Sequence, residues 1–311
     1  MREMEEKVSV LLSTYNGEMY LPVQLRSVFG QKGVDVKVFA RDDGSTDKST
    51  AILNAWAKTH PLKYACGNNA GAARSFLKLL QDVNEDESEW YAYCDQDDWW
   101  YPDKLKKAVS MLRARKTDGP MLYYSDTTRV GPELEKIENP FKRHYHVESA
   151  GGLLTFPDGS GCTMVFNRQL LLLLKKYEPE YLFMHDTWTI VLCGVLGGQV
   201  IYDPVSHIKY RQHAGNVLGG VEKMRYSKPR LFWSRVTKFF TYRYFPSLVA
   251  KEILNGYGNA VPKENRNLVR KVADANRGIR SRLAVCFDKR LRTGYLLIDM
   301  KHYVQTVVGK L

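Results

Sequence analysis

A chain of 311 residues, 44% apolar and 26% charged, with 12 Pro, 23 Gly and no long biased run, has the composition of a soluble globular protein. That composition excludes disordered and fibrous classes, and the length, about twice a common domain of roughly 150 residues, predicts either two domains or one large domain with an appendage. The net charge of +12 is unevenly spread: residues 1–220 carry 26 Lys/Arg against 28 Asp/Glu, a balance of −2, and residues 221–311 carry 20 against 6, a balance of +14. The expected division is therefore a neutral domain, 1–220, and a basic helical region, 221–311, that faces something anionic.

The longest uncharged apolar run lies between Asp186 and Asp203, and its sixteen residues include three Gly. It falls short of the roughly 20 residues that a spanning helix needs and reads as a buried helix followed by a strand. The mostly acidic start, Met1 to Lys7, is unlike a secretory signal, so a cytoplasmic location is expected. Five scattered cysteines without a C-x-x-C pair predict reduced, buried thiols.

In chain order, Val8 to Leu12 is a short β-branched apolar run ended by Thr14-Tyr15-Asn16-Gly17, the pattern of a buried strand opening into a loop. Tyr20 to Phe29 has helical spacing. Val34 to Ala40 predicts a second strand, closed by Arg41-Asp42-Asp43-Gly44-Ser45-Thr46-Asp47, and Ser49 to Lys58 a second helix. Gly71 to Val83 gives a helix, Trp90 to Cys94 a strand entering Asp95-Gln96-Asp97-Asp98, Lys104 to Arg115 a helix, and Met121 to Ser125 a strand. This βα alternation implies a mainly parallel sheet with helices on both faces and ligands at the carboxyl ends of the strands. Three polar loops would converge there. No Gly-x-Gly-x-x-Gly or Walker-type loop occurs at any of them, which counts against ordinary dinucleotide and P-loop chemistry.

Beyond residue 126 the pattern loosens. Glu133 to Glu148 and Gly151-Gly152 read as a flap, and Cys162 to Phe166 as a return strand. Leu170 to Leu174 begins a helix, and Val200 to Tyr202 is a strand. His144 and His146, two apart, lack a third ligand and belong to the flap. In the tail, Phe232, Val236, Phe239 and Phe240 keep helical spacing.

Three carboxylates within Asp95–Asp98 repel one another unless a cation or protons neutralise them. A divalent cation sharing its shell with substrate phosphates is one solution, and a solvated, helix-capping acidic loop is the other. Asp42 and Asp43 can accept hydrogen bonds from a nucleoside, while Ser45, Thr46 or Asp47 caps the next helix. His185-Asp186 joins an imidazole to a carboxylate at the mouth of an apolar helix, where Asp186 is a candidate general base or an ordinary N-cap. Tyr210-Arg211-Gln212-His213 offers an Arg fork for a diphosphate and a His for a metal or phosphate oxygen, or is a surface turn.

Taken in order, Val8–Gly17, Arg41–Asp47, Asn69–Arg74, Asp95–Asp98, His185-Asp186 and Tyr210–Leu218 resemble the motifs of a family 2 glycosyltransferase of the GT-A fold. The similarity is greatest to bacterial rhamnosyltransferases of cell-surface polysaccharide synthesis, and it covers about residues 7–220. It implies a Rossmann-like α/β domain in which Thr14, Tyr15, Asn16, Asp42, Asp43, Arg74, Asp95 and Arg211 bind the donor nucleotide. Asp95 and Asp97 would form the D-x-D element and, with His213, hold Mg²⁺ or Mn²⁺. Asp186 would be the catalytic base, with His185 in a supporting or substitute role. The implied reaction is inverting, metal-dependent transfer of L-rhamnose from dTDP-L-rhamnose to a hydroxyl of a growing, polyprenyl-diphosphate-linked glycan. A UDP-hexose donor in much the same pocket is the alternative, and homo-oligomerisation is left open. The Q-x-x-R-W motif of processive relatives is absent.

The tail lies outside that resemblance. Between Glu222 and Phe245 stand seven Lys/Arg, one acid and eight aromatics, a composition suited either to an anionic membrane, at the inner face of the plasma membrane, or to packing against the body or a second subunit. A nucleic-acid-binding role would use the same charge but leaves the three acidic loops unexplained, so no nucleic-acid partner is expected. A nucleotidyltransferase would need a Gly-rich, Lys-bearing first loop, which Ser13–Gly17 is not.

Overall fold

The structure, a computed structural model, describes residues 5–137, 145–213, 215, 244–309 and 311. The first strand, β1 (Glu6–Thr14), leads to α1 (Leu21–Phe29), β2 (Val34–Asp42), α2 (Ser49–Ala57), β3 (Leu62–Cys66), α3 (Ala72–Asp82) and β4 (Trp90–Cys94). Then come β5 (Trp99–Trp100), α4 (Lys104–Arg113), β6 (Met121–Ser125), β7 (Thr128–Val130), α5 (Ala150–Thr155), β8 (Val165–Asn167), α6 (Arg168–Lys176), α7 (His185–Val195), β9 (Gln199–Asp203) and β10 (Ile208–Arg211). The C-terminal region supplies α8 (Pro246–Tyr257), α9 (Lys263–Ala273), α10 (Ile279–Cys286) and α11 (Leu296–Val307).

Seven strands form one sheet in the order β3-β2-β1-β4-β8-β6-β9, and β5-β10-β7 form a small second sheet. Only β8 runs against its neighbours in the large sheet; the other pairings are parallel. Parallel strands covered on both faces need apolar side chains at every position, and their alternation assigns each residue to one of two cores. Val8, Val10 and Leu12 of β1, with Trp90, Ala92 and Cys94 of β4, pack towards α1 and α4. Leu11, Tyr91 and Tyr93 face the opposite way, into a core shared with α3, α6, α7 and the C-terminal helices. Val249, Ile253, Leu268 and Val272 belong to that second core, so α8 and α9 pack directly on the body through buried side chains. Each such side chain contributes roughly 1.5–3 kcal/mol.

Three features depart from the expectations above. Leu62–Cys66 is an edge strand with only Leu62 buried, so its sequence lacks the apolar run that marks the inner strands. Residues 150–155 form a helix in place of part of a flap: Ser149 Oγ accepts from Gly152 N at 3.1 Å, and a Cβ on Gly151 would stand 2.2 Å from the Arg290 carbonyl oxygen. The glycine is required there by close packing. Cys66 is exposed, whereas Cys94, Cys162 and Cys193 are buried, so the reading of buried thiols fails at Cys66. His144 and residues 222–243, with most of the basic aromatic segment, lie outside the described residues. Among the described residues, no helix is long and apolar enough to cross a membrane.

Candidate active site

The loops after β1, β2 and β4 meet because β1 lies between the other two, with Thr14 paired to Asp42 and Leu12 to Cys94. Gln96 closes the junction. Its Oε1 accepts from Thr14 Oγ1 at 2.6 Å and from Tyr15 N at 2.8 Å, while its Nε2 donates to Tyr15 O at 3.1 Å. A Cβ on Gly17 would come within 2.3 Å of that oxygen, so any larger residue there would displace the Gln96 amide. On the other side, Asn16 adopts a φ of 48° and its Oδ1 accepts from Thr46 N at 2.9 Å. Ser45 Oγ accepts from Asn16 N, and Ser49 Oγ from Gly17 N. Tyr15 keeps its ring exposed at this edge.

Asp42 and Asp43 are both buried and shape the second loop. Asp42 Oδ1 accepts from Gly44 N at 3.2 Å and Ser45 N at 2.9 Å, and its Oδ2 is buried without a partner. Asp43 Oδ2 takes Ala70 N and Gly71 N, each at 2.9 Å, and Oδ1 meets the Arg41 guanidinium at 3.3 Å. None of Ser45, Thr46 and Asp47 is the N-cap residue of α2, which is Lys48, but Asp47 Oδ1 accepts from Ser49 N, the first of the helix, at 2.9 Å.

The acidic loop after β4 divides into an outer and an inner part. Asp97 Oδ2 stands 2.7 Å from His213 Nε2, both half-buried, and the His213 ring lies 4.9 Å from that of Tyr20. Asp98 is fully buried; its Oδ1 accepts from Arg211 N at 3.0 Å, and its Oδ2 has no partner. Ligand atoms of Asp95, Asp98 and Cys162 lie within 4.8 Å of one another. Burial, followed by the charges of Asp97 and Asp186, pushes the Asp95 carboxyl up to about 8. Burial first, then Asp97 and Asp95, raises Asp98 well above the carboxylate range. Lys104, beneath the loop, is buried with its Nζ 3.6 Å from the centre of the Trp100 ring, and desolvation lowers it to about 8.

Such crowding of carboxylates fits a divalent cation. Asp97 and His213 hold an oxygen and a nitrogen against each other, Asp95 feels the charge of Asp97, and the mutual repulsion that raises Asp95 is the kind a cation relieves. Cys162 fits less well, because burial holds its thiol protonated, and Asp98 has one oxygen engaged by Arg211 N and only Oδ2 left for a ligand.

Asp186 stands in the first turn of α7, behind the N-cap residue Met184. Its Oδ2 accepts from Gly161 N at 3.0 Å and its Oδ1 from Thr187 N at 2.7 Å, which fixes the half-buried carboxylate towards the acidic loop that feels its charge. His185 lies beside it, since a Cβ on Gly161 would stand 2.7 Å from His185 Nε2 and 3.4 Å from Asp186 Oδ2. Its ring stacks on Phe76 at 3.8 Å and meets Tyr93 edge-on at 4.7 Å, with both nitrogens buried and unpartnered. Burial lowers it to about 4, so the imidazole is neutral. Arg211 braces the acidic loop: Nε donates to Asp97 O at 2.5 Å, Nη1 to Pro132 O, and the guanidinium covers the Tyr20 ring. Arg74 reaches Glu178 at 3.1 Å and Glu180 O at 2.7 Å, away from the three loops.

The structure thus gathers Thr14, Tyr15, Asn16, Asp42, Asp43, Asp95, Asp97, Asp186, Arg211 and His213 at one sheet edge, keeps the His185 ring against Gly161 behind Asp186, and engages Arg74 with Glu178 and Glu180 O. Sequence reasoning missed Gln96, Gly161 and Lys104. The first is the only neutral residue in the acidic run, a usable signal; Gly161 acts through its backbone N–H, which leaves none.

Residues 9–172, more than half of the chain, match the sequence pattern of glycosyl transferase family 2. The chain belongs to that family. It is 28% identical over 273 residues, covering 80% of this chain and 91% of the relative, to the dTDP-rhamnosyl transferase RfbG of Shigella flexneri. Among solved structures, residues 1–349 of S. aureus TarS in complex with UDP-GlcNAc align over 97% of this chain and 90% of that one, with a TM-score of 0.54 and 17% identity. The mannosyltransferase PcManGT from Pyrobaculum calidifontis, in complex with GDP-Man and Mn²⁺, aligns over 98% and 88%, with a TM-score of 0.51 and 17% identity. These likenesses show the GT-A fold, and with the family they make this glycosyltransferase an enzyme that uses a nucleotide sugar.

Proposed function

We propose that this glycosyltransferase moves L-rhamnose from dTDP-L-rhamnose to a hydroxyl of a growing surface glycan, with inversion at the anomeric carbon. The observation that carries the chemistry is that Asp95 feels the charges of both Asp97 and Asp186, while Asp97 pairs with His213. The donor is supported by the similarity to a dTDP-rhamnosyl transferase over most of both chains.

In this reading the loop at Thr14–Asn16, with Asp42 and Asp43 behind it, receives the nucleoside, and Tyr15 offers a ring to the base. Asp95 faces the ribose and diphosphate. Asp97 and His213, with Asp95, would hold Mg²⁺ or Mn²⁺, which supplies positive charge to the departing diphosphate. Asp186 takes the proton of the acceptor hydroxyl as that oxygen bonds to the anomeric carbon and the bond to the diphosphate oxygen breaks. Gly161 N–H and Thr187 N–H hold its two oxygens in place. The neutral His185 ring, wedged between Phe76 and Tyr93, positions the start of α7. Arg211 sets the acidic loop, and Arg74 acts at the 178–180 turn unless donor binding draws it in.

The acceptor fits a polyprenyl-diphosphate-linked glycan at the cytoplasmic membrane face, with residues 222–245 contributing basic and aromatic side chains. A UDP-hexose is the second donor reading, favoured by the fold shared with the UDP-GlcNAc-bound TarS. Incubation with dTDP-L-rhamnose, UDP-glucose, UDP-galactose and UDP-GlcNAc, with nucleoside diphosphate release as the readout, separates the two. Release from dTDP-L-rhamnose alone supports the proposal; release from a UDP-sugar alone replaces it.

A further inference from the structure

Nine of the thirteen exposed large apolar side chains among the described residues fall within residues 279–308, so they mark one surface. In α11 and the residue after it, every exposed position is apolar: Leu296, Leu297, Met300, Val304, Val307 and Val308. Its buried positions, Ile298, His302 and Thr306, recur every fourth residue and place the apolar stripe on the opposite face, away from the protein. The usual polarity of a surface helix is reversed. Ile279, Leu283 and Phe287 add a second exposed stripe along α10, which Arg282 ties to α11 through a bond to the Val307 carbonyl oxygen at 3.2 Å.

Charge around this surface is mainly basic, with Arg277 paired to Asp274 at 3.0 Å. Arg277, Arg280, Lys289, Arg290 and Arg292 are exposed. The two acids within 277–308 are engaged: Asp288 by Lys271 and Arg290, Asp299 by Thr293. A two-fold pairing with a second copy would bring this basic rim against itself. An anionic lipid surface satisfies both features, since headgroups meet the arginines while the apolar stripe enters the acyl boundary.

We propose that the outer face of α10 and α11 docks this enzyme on an anionic lipid bilayer. The surface is built from residues 279–308, and its role does not depend on which donor is used. Its placement relative to the site is direct. Tyr295, just before α11, packs on Tyr145 at 4.9 Å and donates to the backbone around His146, whose ring bonds Tyr124 OH at the end of β6. Docking there holds the catalytic edge of the sheet beside the membrane.

Co-sedimentation of the full chain with vesicles of phosphatidylglycerol and phosphatidylethanolamine, against phosphatidylcholine alone, tests this with wild type, the double variant Leu297→Asp/Val304→Asp, and Met300→Trp as a fluorescent reporter. Expected is salt-sensitive binding to the anionic vesicles, weakened about tenfold or more in the double variant, and a blue shift of the added indole's emission, taken as the difference between Met300→Trp and wild type. Both variants should keep the wild-type melting temperature and its shift with nucleotide, which separates lost docking from lost folding or a failed donor assignment. Wild-type protein left in the supernatant, or a double variant that binds like wild type, overturns the proposal. So does a dimer in solution that the double variant dissociates, since the face would then be covered by a second copy.

Discussion

The strand-end loops and the C-terminal helices break the ordinary rule of burial in opposite directions. At the first, carboxylates are hidden: Asp42, Asp43 and Asp98 are buried, and Asp95 is pushed up to about 8 by desolvation and its acidic neighbours. At the second, Leu296, Leu297 and Phe287 are exposed by 73, 61 and 77%. Buried charge and exposed apolar surface both cost free energy in the isolated chain, and each cost is offset when the right partner binds. A cation with a nucleotide suits the loops, and a lipid surface suits the helices.

The largest expected effect lies at the loops. Asp186→Asn keeps the shape of the side chain and removes the base, so kcat should fall by about 10²–10⁴-fold while the melting temperature barely moves. An equal fall in melting temperature would make Asp186 structural and erase the contrast between the regions. Next comes Leu153→Ala, at a fully buried side chain of the core that joins α5 and α7, which should cost about 2–5 kcal/mol in denaturant unfolding.

A pH titration compares the regions through one residue type. His185, behind the site, and His302, on the inner side of α11, are each lowered from 6.5 to about 4 by burial. The folded state keeps both neutral, whereas the unfolded chain takes up protons near 6.5. Their contribution is therefore complete above pH 6.5 and lost as pH falls towards 4. Melting temperatures measured from pH 7 to pH 4 should fall, and His302→Gln should flatten part of that fall. An unchanged slope in the variant would remove His302 from the account.

The smallest effect is at the exposed face. Leu297→Ala should alter unfolding free energy by no more than about 0.5 kcal/mol, against the cost at Leu153. A loss similar to that at Leu153 would show that the face is covered in solution.

Much of this was legible in the sequence, for identifiable reasons. Inner strands of a parallel sheet are apolar on both faces, so Val8–Leu12, Val34–Ala40 and Trp90–Cys94 stand out, and the polar loops that follow them must share an edge. The edge strand Leu62–Cys66 carries no such run, and the glycines of Gly151-Gly152 argue for a loop until the backbone packed against them is known. Within the site, residue types announced Asp97 and His213, but not that Arg211 would spend its donors on Asp97 O and Pro132 O. Nor could periodicity reveal which side of α11 faces inward. Its apolar stripe would ordinarily be assigned to the core, yet Ile298, His302 and Thr306 occupy that side.

The central claim is that the acidic edge binds a nucleoside diphosphate together with a divalent cation held by Asp97 and His213. A thermal-shift titration of wild type and Asp97→Ala with dTDP and UDP, each with and without Mn²⁺, tests it most directly, because a ligand that binds only the folded state raises the melting temperature. A Mn²⁺-dependent rise with dTDP is expected in wild type and its loss in Asp97→Ala. A rise of equal size without the metal, or one that survives in Asp97→Ala, would contradict the central claim.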